Sequence, residues 1–322
     1  MEAYVSKEFL NHLDDIWDSA KNDILSPRIT NLQALLSLIL ALPVKSDISK
    51  EDVEQIITEK KGSTILKSIQ EIFASINIRD NKKFLVGASL SEIENYSAYY
   101  FLDSKSDKET DLGIVVKDKE FDGSSFYNNC TVTDLAIPEK GGWDFLKENI
   151  APSNAMLIID RYIFGGPIEL KLKNLIDFII LHKKNIKIPF HLSLIFSSDL
   201  KSSKQPPLSE ELISKSFEKI LSLGNIECEF VIENQDPYHD RLVFTNYTSG
   251  NIGLPFTDGP TRFNQNFLGY EMNSERVKKN YSQYKRDLKY WKSIINKAPV
   301  KIGVHKVKWK SSDFENRIFS VL

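Results

Sequence analysis

The apolar residues of the first 78 positions recur with helical spacing. Apolar side chains return every three or four residues in four successive segments, which predicts four amphipathic helices; their apolar stripes are Phe9–Trp17, Leu32–Leu40, Val53–Ile57 and Ile65–Phe73. Pro43 ends the second stripe because proline lacks the amide hydrogen that a helix needs. Ser49 followed by Glu51 and Asp52 is typical of a helix start. No repeat of fixed length is present, so we expect a helical N-terminal region over residues 1–80.

From residue 81 onward, short apolar runs alternate with polar turns and helical stripes. Runs rich in β-branched residues predict strands, at Phe84–Ala88, Gly113–Val116, Met156–Asp160, His191–Phe196, Ile226–Ile232, Arg241–Phe244 and Lys301–Trp309. Helical stripes lie between or after them, at Leu172–Ile180, Leu212–Leu221 and 273–297. This order predicts an α/β domain over residues 81–322, in which helices cover a mixed, mainly parallel sheet.

The composition is ordinary for a globular protein, with 41% hydrophobic and 27% charged residues, which argues against disorder. The longest apolar runs are too short for a bilayer span, and the N-terminus lacks the features of a secretory signal. The two cysteines, Cys130 and Cys228, have neither metal-ligand spacing nor the density of a disulfide framework. We therefore expect a cytoplasmic protein with no membrane segment, no metal site and no cofactor.

The net charge of −2 conceals a strong asymmetry along the chain. Residues 91–140 carry 11 acidic side chains against 5 lysines, whereas residues 276–310 carry 12 Lys and Arg against the single acid Asp287. Charge of the second kind attracts phosphate backbones whatever their sequence. The basic segment therefore predicts a surface for a polyanion, and a solvated helix face is the alternative.

The basic segment includes a long predicted helix with two distinct faces. Its apolar stripe predicts a core-facing side and consists of Tyr281, Tyr284, Leu288, Trp291 and Ile295. A second face carries a row of ammonium groups from Lys278, Lys285, Lys289 and Lys292. The final predicted strand extends this charge through Lys301, Lys306, Lys308 and Lys310.

The densest cluster of reactive residues is Tyr238-His239-Asp240-Arg241, at the start of a predicted strand. Side chains alternate along a strand, so His239 and Arg241 share one face. Asp160 ends a buried strand, and α/β sheets place their ligands at such carboxyl ends. These positions predict a polar pocket formed by Asp160, His239 and Arg241. Arg262, in the turn-rich segment that follows, is the best candidate for an additional phosphate contact.

The spacing of His239, Arg241 and Asn246 resembles the phospholipase D superfamily signature, His-x-Lys-x4-Asp, with Arg for Lys and Asn for Asp. The His-Asp-Arg run itself is similar to the phospholipase D-like domain at the C-terminus of MIT-domain proteins and in assorted bacterial proteins. The resemblance covers about residues 150–310. It implies a phosphate site in which His239 matches the nucleophile and Arg241 the phosphate-binding lysine. Asn246 matches the acid that orients the histidine.

This chain departs from the active family in several ways. Arginine clamps phosphate but does not simply replace lysine, and the neutral Asn246 cannot stabilise an imidazolium as a carboxylate does. The family also uses two motifs, and neither His191 nor His305 begins a second one, so a homodimer would have to supply it. We therefore expect binding of a phosphate-containing ligand, with nucleic acid as the leading class, rather than catalysis.

Three alternatives stay open from the residues alone. Arg241 could pair with Asp240 or Asp236 in a purely structural turn. The site could perform phosphodiester cleavage as a nuclease or phosphodiesterase. The chain could also be a non-catalytic interaction or sensor module of a multi-component bacterial system such as antiviral defence, with residues 1–80 recruiting a protein partner.

Overall fold

The computed structural model describes residues 1–20, 27–60, 62–79, 84–86, 98–102, 113–117, 132–136, 143, 153–165, 168–183, 187–198, 208–234, 241–252, 262–269, 273–302 and 304–322. The chain forms two compact units. The first comprises Met1–Asn129 and Leu268–Ser282, and the second comprises Cys130–Phe267 and Gln283–Leu322. Each unit is built on its own sheet.

The first unit contains a five-stranded sheet in which every pairing is parallel. Its elements are β1 (Glu2–Val5), α1 (Lys7–Ala20), α2 (Pro27–Ala41), β2 (Val44–Ser46), α3 (Lys50–Glu59), α4 (Thr64–Arg79), β3 (Phe84–Val86), β4 (Ala98–Leu102) and β5 (Gly113–Lys117). The strand order is β3-β2-β1-β4-β5. A helix pair therefore connects β1 to β2, and a second pair connects β2 to β3.

The four predicted N-terminal helices are present, but residues 1–80 are not helical throughout. β1 and β2 interrupt them and are the central strands of the parallel sheet together with β4. The periodic pattern did not reveal these strands, because they have only four and three residues and a buried parallel strand lacks an alternation of apolar and polar positions. The helices therefore belong to an α/β unit and do not form a separate bundle.

The predicted start of α3 is confirmed by its hydrogen bonds. The Ser49 hydroxyl accepts from the Asp52 amide at 3.0 Å, and the Asp52 carboxylate accepts from the Ser49 amide at 3.0 Å. Two of the amides that a helix leaves unpaired at its beginning are thus satisfied. A salt bridge from Lys7 to Asp52, 2.8 Å long, connects this turn to the first residue of α1.

The second unit contains an eight-stranded mixed sheet of order β15-β9-β8-β7-β10-β11-β12-β6. Its elements are β6 (Val132–Ala136), β7 (Ala155–Ile159), α5 (Ile168–Lys183), β8 (Phe190–Phe196), α6 (Glu210–Leu221), β9 (Ile226–Ile232), β10 (Leu242–Thr245), β11 (Thr248–Ile252), β12 (Arg262–Phe267), α7 (Ser274–Lys297), β13 (Lys301–Ile302), β14 (His305–Lys306), β15 (Lys308–Lys310) and a C-terminal 3-10 helix (Arg317–Val321). The helix α7 begins within the residues of the first unit.

The predicted α/β class is confirmed, but the second sheet is not mainly parallel. Only β7, β8 and β9 run parallel to one another, and the other five pairings are antiparallel. The helical connections α5 and α6 allow the parallel part, whereas β10 and β11 are joined by a turn too short for a crossover. The final predicted strand, Lys301–Trp309, is likewise divided into a small β13–β14 hairpin and β15.

The two faces of the parallel strands in the second unit differ in chemistry. Even-numbered residues of β8 and β9 point into a hydrophobic core formed with α5 and α6; they include Leu192, Leu194, Phe196, Cys228 and Phe230. Odd-numbered residues form a buried polar network with the C-terminal segment. The Ser193 hydroxyl donates to Glu229 at 2.6 Å, and the Asn316 side-chain amide donates to Ser193 at 2.9 Å.

In the described part of the chain, no helix combines the length and hydropathy needed to cross a membrane.

Candidate functional site

Polar side chains lie at the carboxyl ends of all three parallel strands of the second unit. Asp160 follows β7, Ser197 follows β8, and Asn234 lies two residues beyond β9. The Ser197 hydroxyl donates to the Asn234 side-chain oxygen at 2.8 Å, and the Ser198 amide donates to the same oxygen at 2.9 Å. Arg241 lies at this edge too, because β10 runs antiparallel to β7 and Arg241 directly precedes it. We call this group the carboxyl-edge cluster.

Asp160 and Arg241 form the charged centre of the carboxyl-edge cluster. Nε of Arg241 lies 3.7 Å from Oδ1 of Asp160. Only 1% of the Asp160 side chain is exposed, against 22% for Arg241. The Asp160 Oδ1 atom accepts from the Tyr162 amide at 2.9 Å, and the guanidinium lies 5.4 Å from the centre of the Tyr162 ring. Neither Oδ2 of Asp160 nor Nε of Arg241 has a hydrogen-bond partner among the described residues.

The Asp160 carboxyl is affected by its burial and by nearby cations. Burial raises the pKa of the Asp160 carboxyl, and the Tyr162 amide, Arg241 and Lys171 act against that rise. Lys171 is itself buried, and its ammonium donates to the Tyr162 carbonyl at 2.8 Å. Two cationic side chains thus act on the Asp160 carboxyl, and both favour its charged form.

The predicted partnership of His239 and Arg241 stays a prediction, because His239 and Asp240 lie outside the described residues. Among the described residues, the acid beside Arg241 is Asp160, whereas the sequence suggested Asp240 or Asp236. A structural ion pair was the alternative to a phosphate contact for Arg241. The 3.7 Å separation is longer than a direct hydrogen bond, so neither Asp160 nor any other described residue accepts a hydrogen bond from Nε of Arg241.

Asn246 lies at the opposite end of β10 from Arg241. Its predicted role in orienting His239 stays a prediction, because His239 lies outside the described residues. Its side-chain oxygen accepts from the amides of Asn154 and Ala155 at 2.9 and 3.0 Å. Its nitrogen donates to the Asn154 side chain at 3.1 Å. Asn246 and Arg241 flank opposite ends of β10, which separates them by about 16 Å along the strand. Asn246 therefore fixes the start of β7 and does not complete the carboxyl-edge cluster.

The register of the sheet places Arg262 at the same edge as Arg241. Arg262 begins β12, which pairs with β11, and β11 pairs with β10. Two strand spacings separate the start of β12 from the start of β10, or about 10 Å. The backbone position thus agrees with the predicted additional phosphate contact, whereas the side chain of Arg262 lies outside the described part of the chain.

The predicted apolar stripe of α7 is confirmed. The five stripe residues are buried, and Tyr284 donates a hydrogen bond to the Thr245 carbonyl. The lysines of the other face differ in their pairing. Lys285 and Lys289 are exposed and have no ion-pair partner among the described residues, whereas Lys292 pairs with Glu315.

Several other lysines of the basic segment are paired with acids as well. Lys278, in the first unit, lies 2.6 Å from Glu275. In the second unit, Lys310 lies 3.2 Å from Asp313, and Lys308 lies 3.7 Å from the buried Glu229. The unpaired cations of the second unit therefore form a smaller set than the sequence suggested. We define the cationic row as Lys285 and Lys289, which face outward from α7.

Sequence reasoning missed a pocket beside the cationic row. Its volume is about 650 Å³, and it lies where the end of β9, the last turns of α7 and the β13–β14 hairpin meet. Tyr290, Ser293 and Lys297 line it from α7, and Glu233 and Asn234 line it from the carboxyl end of β9. The signal in the sequence was the position of Tyr290 off the apolar stripe, on the helix face next to the lysines.

The described residues contain no group of three or more His, Cys, Asp or Glu side chains arranged to hold a metal ion. The chemistry that these residues offer is electrostatic: guanidinium and ammonium groups, aromatic rings and amides. Such groups bind anions and planar ligands.

Comparisons with known proteins leave the family of this chain open. No family model matches the sequence, and no curated protein matches it. One solved structure that matches is that of TrmBL2, an archaeal chromatin protein described as showing a novel mode of DNA binding. The identity is 10% and the TM-score is 0.24. The match covers 50% of this chain and 52% of the other, so this chain spans about half of that structure.

Proposed function

We propose that this chain binds nucleic acid through its sugar–phosphate backbone, with the cationic row as the main contact. The observation that carries the proposal is the pair of exposed lysines at positions 285 and 289, which lack an acidic partner among the described residues. Residues four apart lie on the same face of a helix, and like charges at that spacing destabilise it by roughly 0.2–0.5 kcal/mol. A bound phosphate chain would remove this repulsion.

Further cations support the same ligand class. Lys297 and Lys301 are exposed in the second unit and have no ion-pair partner among the residues described. They follow the cationic row towards the β13–β14 hairpin. An extended run of unpaired cations suits a polymer of phosphates better than one small anion, because each phosphate contact releases a counterion.

Arg241 is the second proposed phosphate contact. The 3.7 Å distance to Asp160 and the lack of a hydrogen-bond partner for Nε among the described residues support this role. Arginine matches a phosphate group in a two-point geometry, which makes it the stronger phosphate ligand of the two basic residue types. Replacing Arg241 with Gln should therefore weaken oligonucleotide binding, and thermal unfolding would show whether the loss is due to folding.

The test of the main contact is binding of a fluorescent oligonucleotide at several salt concentrations. The double variant Lys285→Ala/Lys289→Ala should bind about tenfold or more weakly. Its salt dependence, log K against log salt, should be shallower by roughly 1.4–1.8, since each lost phosphate contact contributes about 0.7–0.9.

The matched control removes two lysines elsewhere in the second unit. Lys215 and Lys219 are exposed on α6, and replacing both with Ala changes the net charge by the same amount. This control should keep the wild-type affinity and salt slope. Equal behaviour of the two double variants would refute a specific role for the cationic row.

Phosphodiester cleavage is a separate proposal that rests on the resemblance of His239 to the phospholipase D nucleophile. That chemistry requires no metal, so cleavage of single- or double-stranded oligonucleotides should persist with a chelator and disappear in His239→Ala. Cleavage by the His239→Ala variant at the wild-type rate would exclude this residue as the nucleophile.

A further inference from the structure

The pocket beside the cationic row combines an exposed ring with polar groups. Its 650 Å³ lies within the range of about 300–1,000 Å³ that small-ligand sites occupy. Ile294 and Ile302 provide apolar walls, whereas Ser293 and Lys297 place a hydroxyl and an ammonium in the lining. The side chains of Ser293 and Lys297 make no hydrogen bond or ion pair with any described residue. The lining can therefore accept a ligand that has an apolar face and a polar edge.

Tyr290 is the aromatic group of this lining, and 45% of it is exposed. Its ring centre lies 4.9 Å from that of the buried Trp291, with an angle of 77° between the planes. An edge-to-face contact of this kind fixes the orientation of the exposed ring. Tyr290 thus lines the pocket as a partly exposed ring that is held against a buried one.

The same helix places the cationic row next to this ring. Lys289 and Tyr290 are consecutive, so they are turned by about 100° around the axis of α7. Ser293 lies one turn beyond Lys289, about 6 Å further along the axis. Lys289 and the pocket residue Ser293 therefore lie on the same side of α7, so a phosphate held by Lys289 would be adjacent to the pocket lining.

We propose that this pocket receives an unpaired base of single-stranded nucleic acid, stacked on Tyr290, while the cationic row holds the adjacent phosphates. This inference rests on the proposed function and narrows its ligand class. Single-stranded ligands expose the flat faces of their bases, and stacking on aromatic side chains is how proteins bind them without sequence preference. A duplex keeps its bases paired and stacked, so it can use the cationic row but not the pocket.

The experiment compares two 12-residue oligonucleotides of equal charge, oligo-dT and an abasic strand that has the same backbone without bases. Stacking contributes roughly 5- to 150-fold per base, so the wild-type protein should prefer oligo-dT by a factor in that range. Tyr290→Ala should lose this preference and still bind the abasic strand as well as the wild type does. Tyr290→Phe keeps the ring and should retain the preference.

The variants separate failure of this inference from failure of the proposed function. If Lys285→Ala/Lys289→Ala weakens both ligands while Tyr290→Ala keeps the wild-type preference, the cationic row is supported and the base pocket is refuted. A wild-type protein that binds both strands equally also refutes the base pocket. Absence of binding to either strand overturns both proposals.

Discussion

Arg241, just before the start of β10, faces Asp160, just after the end of the antiparallel β7, with Nε of Arg241 3.7 Å from Oδ1 of Asp160. The antiparallel register creates this pair, since the end of β7 and the start of β10 meet at the same edge of the sheet. Because Asp160 is buried and Arg241 is mostly buried, the pair should contribute to the free energy of unfolding as well as to ligand binding. Its stability contribution can be measured separately from binding.

Replacing Asp160 with Ala should destabilise the protein by roughly 2–3 kcal/mol, because it leaves a partly buried guanidinium without its counter-charge and the Tyr162 amide without its acceptor. Asp160→Asn keeps an oxygen for the Tyr162 amide and should cost less, about 1 kcal/mol. Urea unfolding of both variants measures these costs. Equal stability of Asp160→Ala and the wild type would show that the pair contributes nothing to the fold.

Asn246 should behave as a structural residue. Asn246→Ala removes the acceptor of the buried Asn154 and Ala155 amides and should cost roughly 2–6 kcal/mol, at about 1–3 kcal/mol for each amide left without a partner. Asn246→Asp restores the acid of the phospholipase D signature, yet it buries a carboxylate against the Asn154 side-chain oxygen and should also lower the melting temperature.

The exposed Asn251 on β11 is the matched control for Asn246, since Asn251→Ala removes the same side chain from a solvated position. Its melting temperature should stay close to that of the wild type. An Asn246→Ala variant as stable as the control would contradict the structural role.

His191 should make the stability of the protein depend on pH. Burial, followed in size by the charge of Arg317, lowers the pKa of His191 to about 4. Its Nδ1 atom accepts from the Arg317 amide at 3.1 Å, while Nε2 lies 2.8 Å from Glu227. Protonation of Nδ1 removes the acceptor for the Arg317 amide, so the neutral ring anchors the C-terminal 3-10 helix.

The sign of the effect follows from the two pKa values. Between pH 6.5 and about 4 the unfolded chain binds a proton that the folded chain does not, so stability falls as the pH falls through this range. His191→Gln removes this titration. The free energy of unfolding that is lost between pH 6.5 and 4 should therefore be smaller in the variant by roughly 1–2 kcal/mol, after allowance for solvent screening. Identical pH profiles of the variant and the wild type would contradict the assignment.

The ion pair between Lys292 and Glu315 predicts different roles for neighbouring lysines. Lys289→Ala should reduce oligonucleotide affinity and the salt slope more than Lys292→Ala does, because Lys292 already has a carboxylate partner. Glu315→Gln releases Lys292 and should instead raise the affinity. A larger loss in Lys292→Ala than in Lys289→Ala would contradict this assignment.

The sequence predicted those features that depend on local pattern. Runs of apolar residues revealed β7, β8 and β9, and the position of Asp160 after one such run correctly indicated the carboxyl edge. β1 and β2 escaped detection because strands of three or four buried residues have no periodicity to read. The direction of β10 was also hidden, since apolar alternation does not say which neighbour a strand pairs with.

Side-chain roles were harder to predict than elements. The sequence spacing of Arg241 and Asn246 fits both a ligand-site role and a purely structural role for Asn246. The structural role became visible only through the hydrogen bonds of Asn246 with the amides of Asn154 and Ala155. The neutralisation of Lys292 depends on Glu315, which lies 23 positions away in the sequence. Long-range pairing of this kind follows from the sheet topology and leaves no local trace.

The helix α7 begins among the residues of the first unit and ends in the second, and this bears on how the chain is synthesised. The hydroxyl of Tyr281 lies 2.7 Å from that of Tyr99, so the first unit takes one of its buried contacts from a segment that leaves the ribosome about 180 residues later. During translation the first unit therefore stays incomplete until Cys130–Phe267 of the second unit has been synthesised. A fragment that ends at Asn129 would lack Leu268–Ser282, so its first unit should be less stable than the same unit in the intact protein.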